Sequence, residues 1–267
     1  FVERKGGGAC VVFLHGIGSY AASFLPLFEY LPADDHLIAW NAPGYSDSDP
    51  LPSDWPTADA YAEALAHFLK AQSLGPVILV GHSLGALMGA AFAKACPDHV
   101  AQLVLASCAA GYGVPVGGEM PASVAARIDD LNASGPIAFA QARASRLVYQ
   151  PAENPDVVAL VRDGMSKVNP AGYAQAVRML ASGTLYNTLA QVNVPTSFVT
   201  GTEDQVTPPD QTFGAAEAWA KSNGRTPIME RIEQAGHAVY VQQPAAFAAT
   251  LQHLLTSANQ LIGDPND

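Results

Sequence analysis

The 267 residues hold 13 Lys and Arg against 24 Asp and Glu, a formal net charge of -11 at pH 7. Hydrophobic residues make up 49% and charged ones 14%, so the chain is globular rather than disordered. The acidity argues against nucleic acid or an anionic membrane as partner.

No run of about eighteen apolar residues occurs, so no membrane-spanning helix is expected. No signal-peptide pattern opens the chain, and cytoplasm is the default compartment. The abrupt Phe1-Val2 start leaves room for an upstream segment. Cys10, Cys96 and Cys108 have no C-x-x-C spacing and are expected to be reduced and mostly packed. No zinc pattern is visible, and neither a metal nor an organic cofactor is expected.

In chain order, Phe1 to Arg4 reads as a short strand, followed by a Gly6-Gly7-Gly8 turn. "ACVVFLHG", "HLIAW" (36 to 40), "PVILVG", "VAQLVLAS" (100 to 107) and "PTSFVTG" (195 to 201) are short, apolar and not alternating. Strands buried on both faces look like that, which predicts a parallel sheet covered by helices. Thr57 is placed to cap a helix in which Tyr61, Leu65, Phe68 and Leu69 share one face. Phe247, Leu251, Leu254 and Leu255 repeat that spacing near the end. Alternating strands and helices imply right-handed crossovers and a doubly wound α/β sheet.

The alternation stops after Cys108. Residues 109 to 190 offer helix-like stretches punctuated by Pro and Gly, with no convincing strand. They read as a helical cap inserted into a core made of residues 1–108 and 191–267. The tail "GDPND" is expected to fray.

The chemistry starts at Gly81-His82-Ser83-Leu84-Gly85, where the strand "PVILV" meets the helix-like "LGALMGAAFAKA". A serine in that turn lies at the carboxyl edge of the sheet, where open α/β folds place ligands. The turn must be sharp, so the residues two before and two after the serine crowd each other and favour glycine. The following helix aims free N–H groups and its positive dipole end at the same spot.

Serine needs a base, and the base needs an orienting group. Downstream, Asp204 follows an apolar strand in "SFVTGTEDQVTPP", with Glu203 beside it. His237 is the one histidine between Asp204 and the final helix. The order Ser, Asp, His fits a nucleophile-elbow hydrolase. His82 is expected to point into the scaffold, and His36, His67, His99 and His253 to lie at surfaces or helix edges. An oxyanion hole needs two backbone donors. Leu84 N–H is one; Ile17 N–H, just after the strand ending at His15-Gly16, is the other.

"FLHGIGSYAASF", "WNAPGYSDSD", "LVGHSLGA", "VTGTEDQVTP" and "AGHAVYVQQP" together resemble the α/β-hydrolase superfamily over nearly the whole chain. The resemblance implies an α/β-hydrolase fold, with Ser83 as nucleophile, Asp204 as acid, His237 as base and a helical cap over the site. "NPAGYAQAVRML" (169 to 180) resembles a cap segment of 3-oxoadipate enol-lactonases and related small esterases and aromatic-degradation hydrolases.

The cap holds Arg127, Arg143, Arg146, Arg162, Lys167 and Arg178. Arg127, Arg143, Arg146 and Arg178 are candidates to bind an acid group on a substrate, since guanidinium forks grip carboxylates; solvated helix faces are the plainer reading.

The expected activity is hydrolysis of a carboxylic ester or lactone of a small organic substrate through an acyl-enzyme. Carbon–carbon bond hydrolases of ring-cleavage products are the alternative, although they usually carry Asn where His82 stands. A small-molecule receptor of this fold, with slow or no turnover, is the alternative of another class. A histidine base must be neutral, so activity should fall below roughly pH 6.5.

Overall fold

The computed structural model describes residues 1–262; the tail "GDPND" lies outside them. The strands are β1 (Val2–Arg4), β2 (Cys10–Leu14), β3 (His36–Trp40), β4 (Val77–His82), β5 (Val100–Ala106), β6 (Thr196–Gly201) and β7 (Ile228–Ile232). The helices are α1 (Leu25–Phe28), α2 (Ala58–Ala71), α3 (Leu84–Ala95), α4 (Ala122–Arg143), α5 (Pro155–Met165), α6 (Pro170–Ser182), α7 (Leu185–Leu189), α8 (Pro209–Asn223), α9 (Val239–Gln242) and α10 (Pro244–Ile262). Sheet order is β1-β3-β2-β4-β5-β6-β7. β1 runs antiparallel to β3 and every other pair is parallel.

The central strands are mostly apolar, without alternation, because successive side chains enter different cores. Val12, Leu14, Leu79, Leu103 and Leu105 join the helices α2, α3 and α8 on one face. Val11, Phe13, Val80, Val104 and Ala106 join α1, α9 and α10 on the other.

Two expectations needed revision. β7 was not anticipated: "IMERI" holds Glu230 and Arg231, and only Ile232 is fully buried. At a sheet edge just one neighbour and part of one face are covered, so the apolar run that marks an inner strand is absent. Thr57 does stand at the N-cap of α2, but its side chain makes no capping bond; its carbonyl accepts from the amides of Ala60 and Tyr61.

Between β5 and β6 the chain forms α4 to α7 and no strand. α4 is two helical pieces broken at Gly135, whose φ of 73° and ψ of 163° no helix contains, followed by Pro136. Val124, Leu131, Phe139 and Tyr173 of this segment continue the core that covers α3, so the segment is packed into the main body.

Candidate active site

The strand–turn–helix expected at Ser83 is present, with β4 ending at His82 and α3 starting at Leu84. Ser83 sits at φ 55°, ψ -112°, a left-handed conformation that costs energy in any residue but glycine. The flanking glycines have different reasons. A Cβ on Gly81 would lie 2.5 Å from the Gly85 carbonyl oxygen, as the crowding argument requires. A Cβ on Gly85 would lie 2.3 Å from the carbonyl oxygen of Leu14 in β2. Gly85 is therefore set by the neighbouring strand as well as by the turn.

Sequence positions 83, 204 and 237 converge. His237 Nε2 stands 2.9 Å from Ser83 Oγ, and His237 Nδ1 stands 2.9 Å from Asp204 Oδ2. All three side chains are buried. Asp204 Oδ1 accepts from the amides of Val206 and Thr207 at 2.8 and 2.9 Å. Burial alone would raise the Asp204 carboxyl, but His237 and those two amides outweigh it and hold it below the ordinary carboxylate value. Asp204 is thus an ionised acceptor that fixes Nδ1 of His237 as the protonated nitrogen and leaves Nε2 to face the serine. Glu203 is not part of this network; its amide bonds the Ala235 carbonyl.

Gly16 brings the loop after β2 against the serine, with room for a Cβ only 3.1 Å from Ser83 Cβ and 3.5 Å from Ser83 Oγ. Ile17 and Leu84 both line the space beside Ser83. Neither backbone N–H has a protein acceptor among the described residues.

Several residues of the site escaped the sequence reading. The Thr207 hydroxyl lies 2.9 Å from Asp204 Oδ2, 2.9 Å from the Ser107 carbonyl and 3.1 Å from His237 Nδ1. Gln242 accepts from the amides of Gly236 and Tyr149 and donates to the Tyr149 carbonyl, so it ties the His237 loop to the link between α4 and α5. Tyr240 stacks on Phe24, meets His82 edge-on, and shares its hydroxyl with Ser19 and Ser23. Only Thr207 left a trace in sequence, three positions after an acid. His82 points into the scaffold as expected: its Nε2–H donates to the His237 carbonyl at 2.8 Å. Burial first, and then His237, push the His82 imidazole down to about 3, so it is a neutral fixed strut.

Above Ser83 opens a cavity of about 790 Å³, within the ~300–1,000 Å³ range of small-molecule pockets. Arg127, Arg143 and Arg146 line it. Arg178 does not; its guanidinium donates to the Asp54 carbonyl. Helical spacing alone could not separate them, because the two pieces of α4 bring Arg127 and Arg143 to one cavity while Arg178 stands on α6.

A family model described as "Alpha/beta hydrolase family" matches residues 11–250. The chain belongs to the alpha/beta hydrolase family. This alpha/beta hydrolase is 28% identical to a pimeloyl-[acyl-carrier protein] methyl ester esterase of Chromobacterium violaceum, over 97% of this chain and 99% of that protein. It is 26% identical to the (E)-2-((N-methylformamido)methylene)succinate hydrolase of Acinetobacter baylyi, over 75% and 74%. Its fold matches an enol-lactonase from Burkholderia xenovorans with a TM-score of 0.82 at 22% identity, over 96% of each chain. It also matches a thermophilic esterase from Thermogutta terrifontis with a TM-score of 0.82 at 23% identity, over 96% of this chain and 92% of that one. Among the described residues no helix of this hydrolase is long and apolar enough to cross a membrane.

Proposed function

We propose that this hydrolase cleaves a carboxylic ester or lactone of a small organic substrate through an acyl-enzyme on Ser83. The observation that carries the reading is the unbroken hydrogen-bond line from Ser83 Oγ through His237 to Asp204, 2.9 Å at each step, opening into a cavity of substrate size. The methyl ester esterase named above supports the ester as the bond attacked.

Ser83 Oγ attacks the carbonyl carbon as its proton passes to His237 Nε2. The amides of Ile17 and Leu84 hold the oxyanion, and Asp204 stabilises the imidazolium. The C–O bond to the leaving group breaks as His237 returns the proton to the departing alkoxide. Water, deprotonated by the same nitrogen, then attacks the acyl-enzyme and frees Ser83. Residues 109–190 act as the roof of the pocket, carried by a core of residues 1–108 and 191–267.

A fluorophosphonate probe should label wild-type protein but not Ser83→Ala. Short p-nitrophenyl esters should be turned over, with kcat at least about 10³-fold lower in Ser83→Ala. Labelling without turnover would replace the enzyme reading with that of a small-molecule receptor, and equal turnover by Ser83→Ala would remove the nucleophile.

A further inference from the structure

The protein is acidic overall, at a net charge of -11, yet its cavity has a basic wall. The three arginines of that wall are not equivalent. Arg143 is committed: its guanidinium pairs with Asp130 at 2.5 Å and lies 4.6 Å over the Phe139 ring. Arg146 is exposed at the rim. Arg127 is half-buried, lines the cavity, and has neither a carboxylate nor a hydrogen-bond partner among the described residues. A guanidinium partly withdrawn from water loses hydration that nothing in the protein replaces. The acid on the cavity wall, Asp163, is already taken by Lys167 at 2.6 Å.

Tyr173 supplies a second observation. Its side chain is buried to 3% exposure and lines the same cavity, but its hydroxyl makes no hydrogen bond among the described residues. Burial pushes the phenol up from its ordinary value, Arg127 and Arg143 are close enough to pull against that rise, and Asp130, which Arg143 pairs, adds a little to it. The hydroxyl therefore stays protonated as a donor. It is also held in place. Phe139 meets its ring edge-on at 5.4 Å. The preceding Gly172 abuts the Pro43-Gly44 turn so closely that a Cβ there would lie 2.0 Å from the Gly44 carbonyl oxygen. The Asn169 side chain caps the same turn of α6.

We propose that Arg127 and the Tyr173 hydroxyl form a carboxylate subsite, so that the preferred substrates are esters carrying a second, free carboxylate. The inference rests on the Ser83 reading above for the bond cleaved, but the subsite itself is a binding claim. A charged fork and a neutral hydroxyl offer three or more donors to one carboxylate in a site screened from bulk water, which favours an anion over a neutral chain of equal length.

Two matched pairs test it: p-nitrophenyl hydrogen glutarate against p-nitrophenyl valerate, and a carboxylate-bearing against a neutral alcohol in an acetate ester. At least one anionic member should have kcat/KM roughly 10- to 100-fold above its neutral partner. Arg127→Gln should lower kcat/KM for the anionic member at least about tenfold more than for the neutral one, and Tyr173→Phe should reduce the preference. Equal kcat/KM within both pairs overturns the subsite, as does an Arg127→Gln variant that loses both members alike. Calorimetric binding of glutarate to wild type, weakened at least about tenfold in Arg127→Gln, separates the two readings. Glutarate binding without ester hydrolysis keeps the subsite and sinks the Ser83 reading; hydrolysis without glutarate binding does the reverse.

Discussion

Thr207 has one hydroxyl proton and two acceptors for it, Asp204 Oδ2 and the Ser107 carbonyl, each at 2.9 Å. Ser107 itself is buried in a left-handed conformation, φ 46°, at the end of β5. The hydroxyl thus links the acid loop to the sheet edge and braces the carboxylate that orients His237. Thr207→Val keeps the shape and removes the link. It should lower kcat about tenfold, the worth of one hydrogen bond to a charged group, with KM little changed. Thr207→Ser should recover most of the loss. Steady-state kinetics with a short ester would check this, and a Thr207→Val enzyme of wild-type kcat would show that the Asp204 amide contacts suffice alone.

At the level of elements, the elbow is a strained turn kept by close packing. The turn leaves Ser83 at φ 55°, and the carbonyl of Leu14 in β2 fills the space where a side chain at Gly85 would go. Because the obstructing atom is backbone in a central strand, it cannot swing aside. Gly85→Ala should therefore cost at least ~3 kcal/mol, the upper end of overpacking penalties. Gly75→Ala, which would meet nothing within 4 Å, should stay within about 1 kcal/mol. Urea denaturation of the two variants measures the contrast, and similar losses would mean that β2 yields to the added methyl. The strand–turn–helix was readable because an unbroken Val/Ile/Leu run, a glycine bracket and a small-residue helix follow one another without a gap. β7 was not, because an edge strand needs no such run. The orientation of the helices between β5 and β6 was equally hidden: Arg127 and Arg178 both stand in helices, yet one lines the cavity and the other bonds the Asp54 carbonyl.

Across the whole molecule, the site is built on histidines that fold must keep neutral. Burial lowers His15 to about 4 and His82 to about 3, from an ordinary value of 6.5. A lowered folded value means that the unfolded chain binds more protons as pH falls from 6.5 toward those values, so stability drops on acidification. Between pH 7 and pH 5 each histidine should cost about 2 kcal/mol. Asp204, held below its ordinary value, acts in the same direction further down: its stabilisation is present above about pH 4 and is lost as pH falls through its folded value. Urea midpoints should fall from pH 7 to pH 5, and His82→Asn should remove about half of the histidine share. Unchanged midpoints would mean that these imidazoles protonate without unfolding.

Sequence alone determined the layering, the position of the elbow, and the order of the serine, acid and histidine motifs. Each of these is carried by local signals, namely the period of apolar residues, the glycine bracket and the short loops that end strands. Tertiary structure decided what contacts across the sheet decide: the Leu14 carbonyl that requires Gly85, the Thr207 hydroxyl shared between Asp204 and Ser107, and the Gln242 link to Tyr149. It also decided which arginine is left without a partner beside the cavity. These depend on which distant atoms meet after folding, and a sequence carries no local signature of a neighbour so far along the chain.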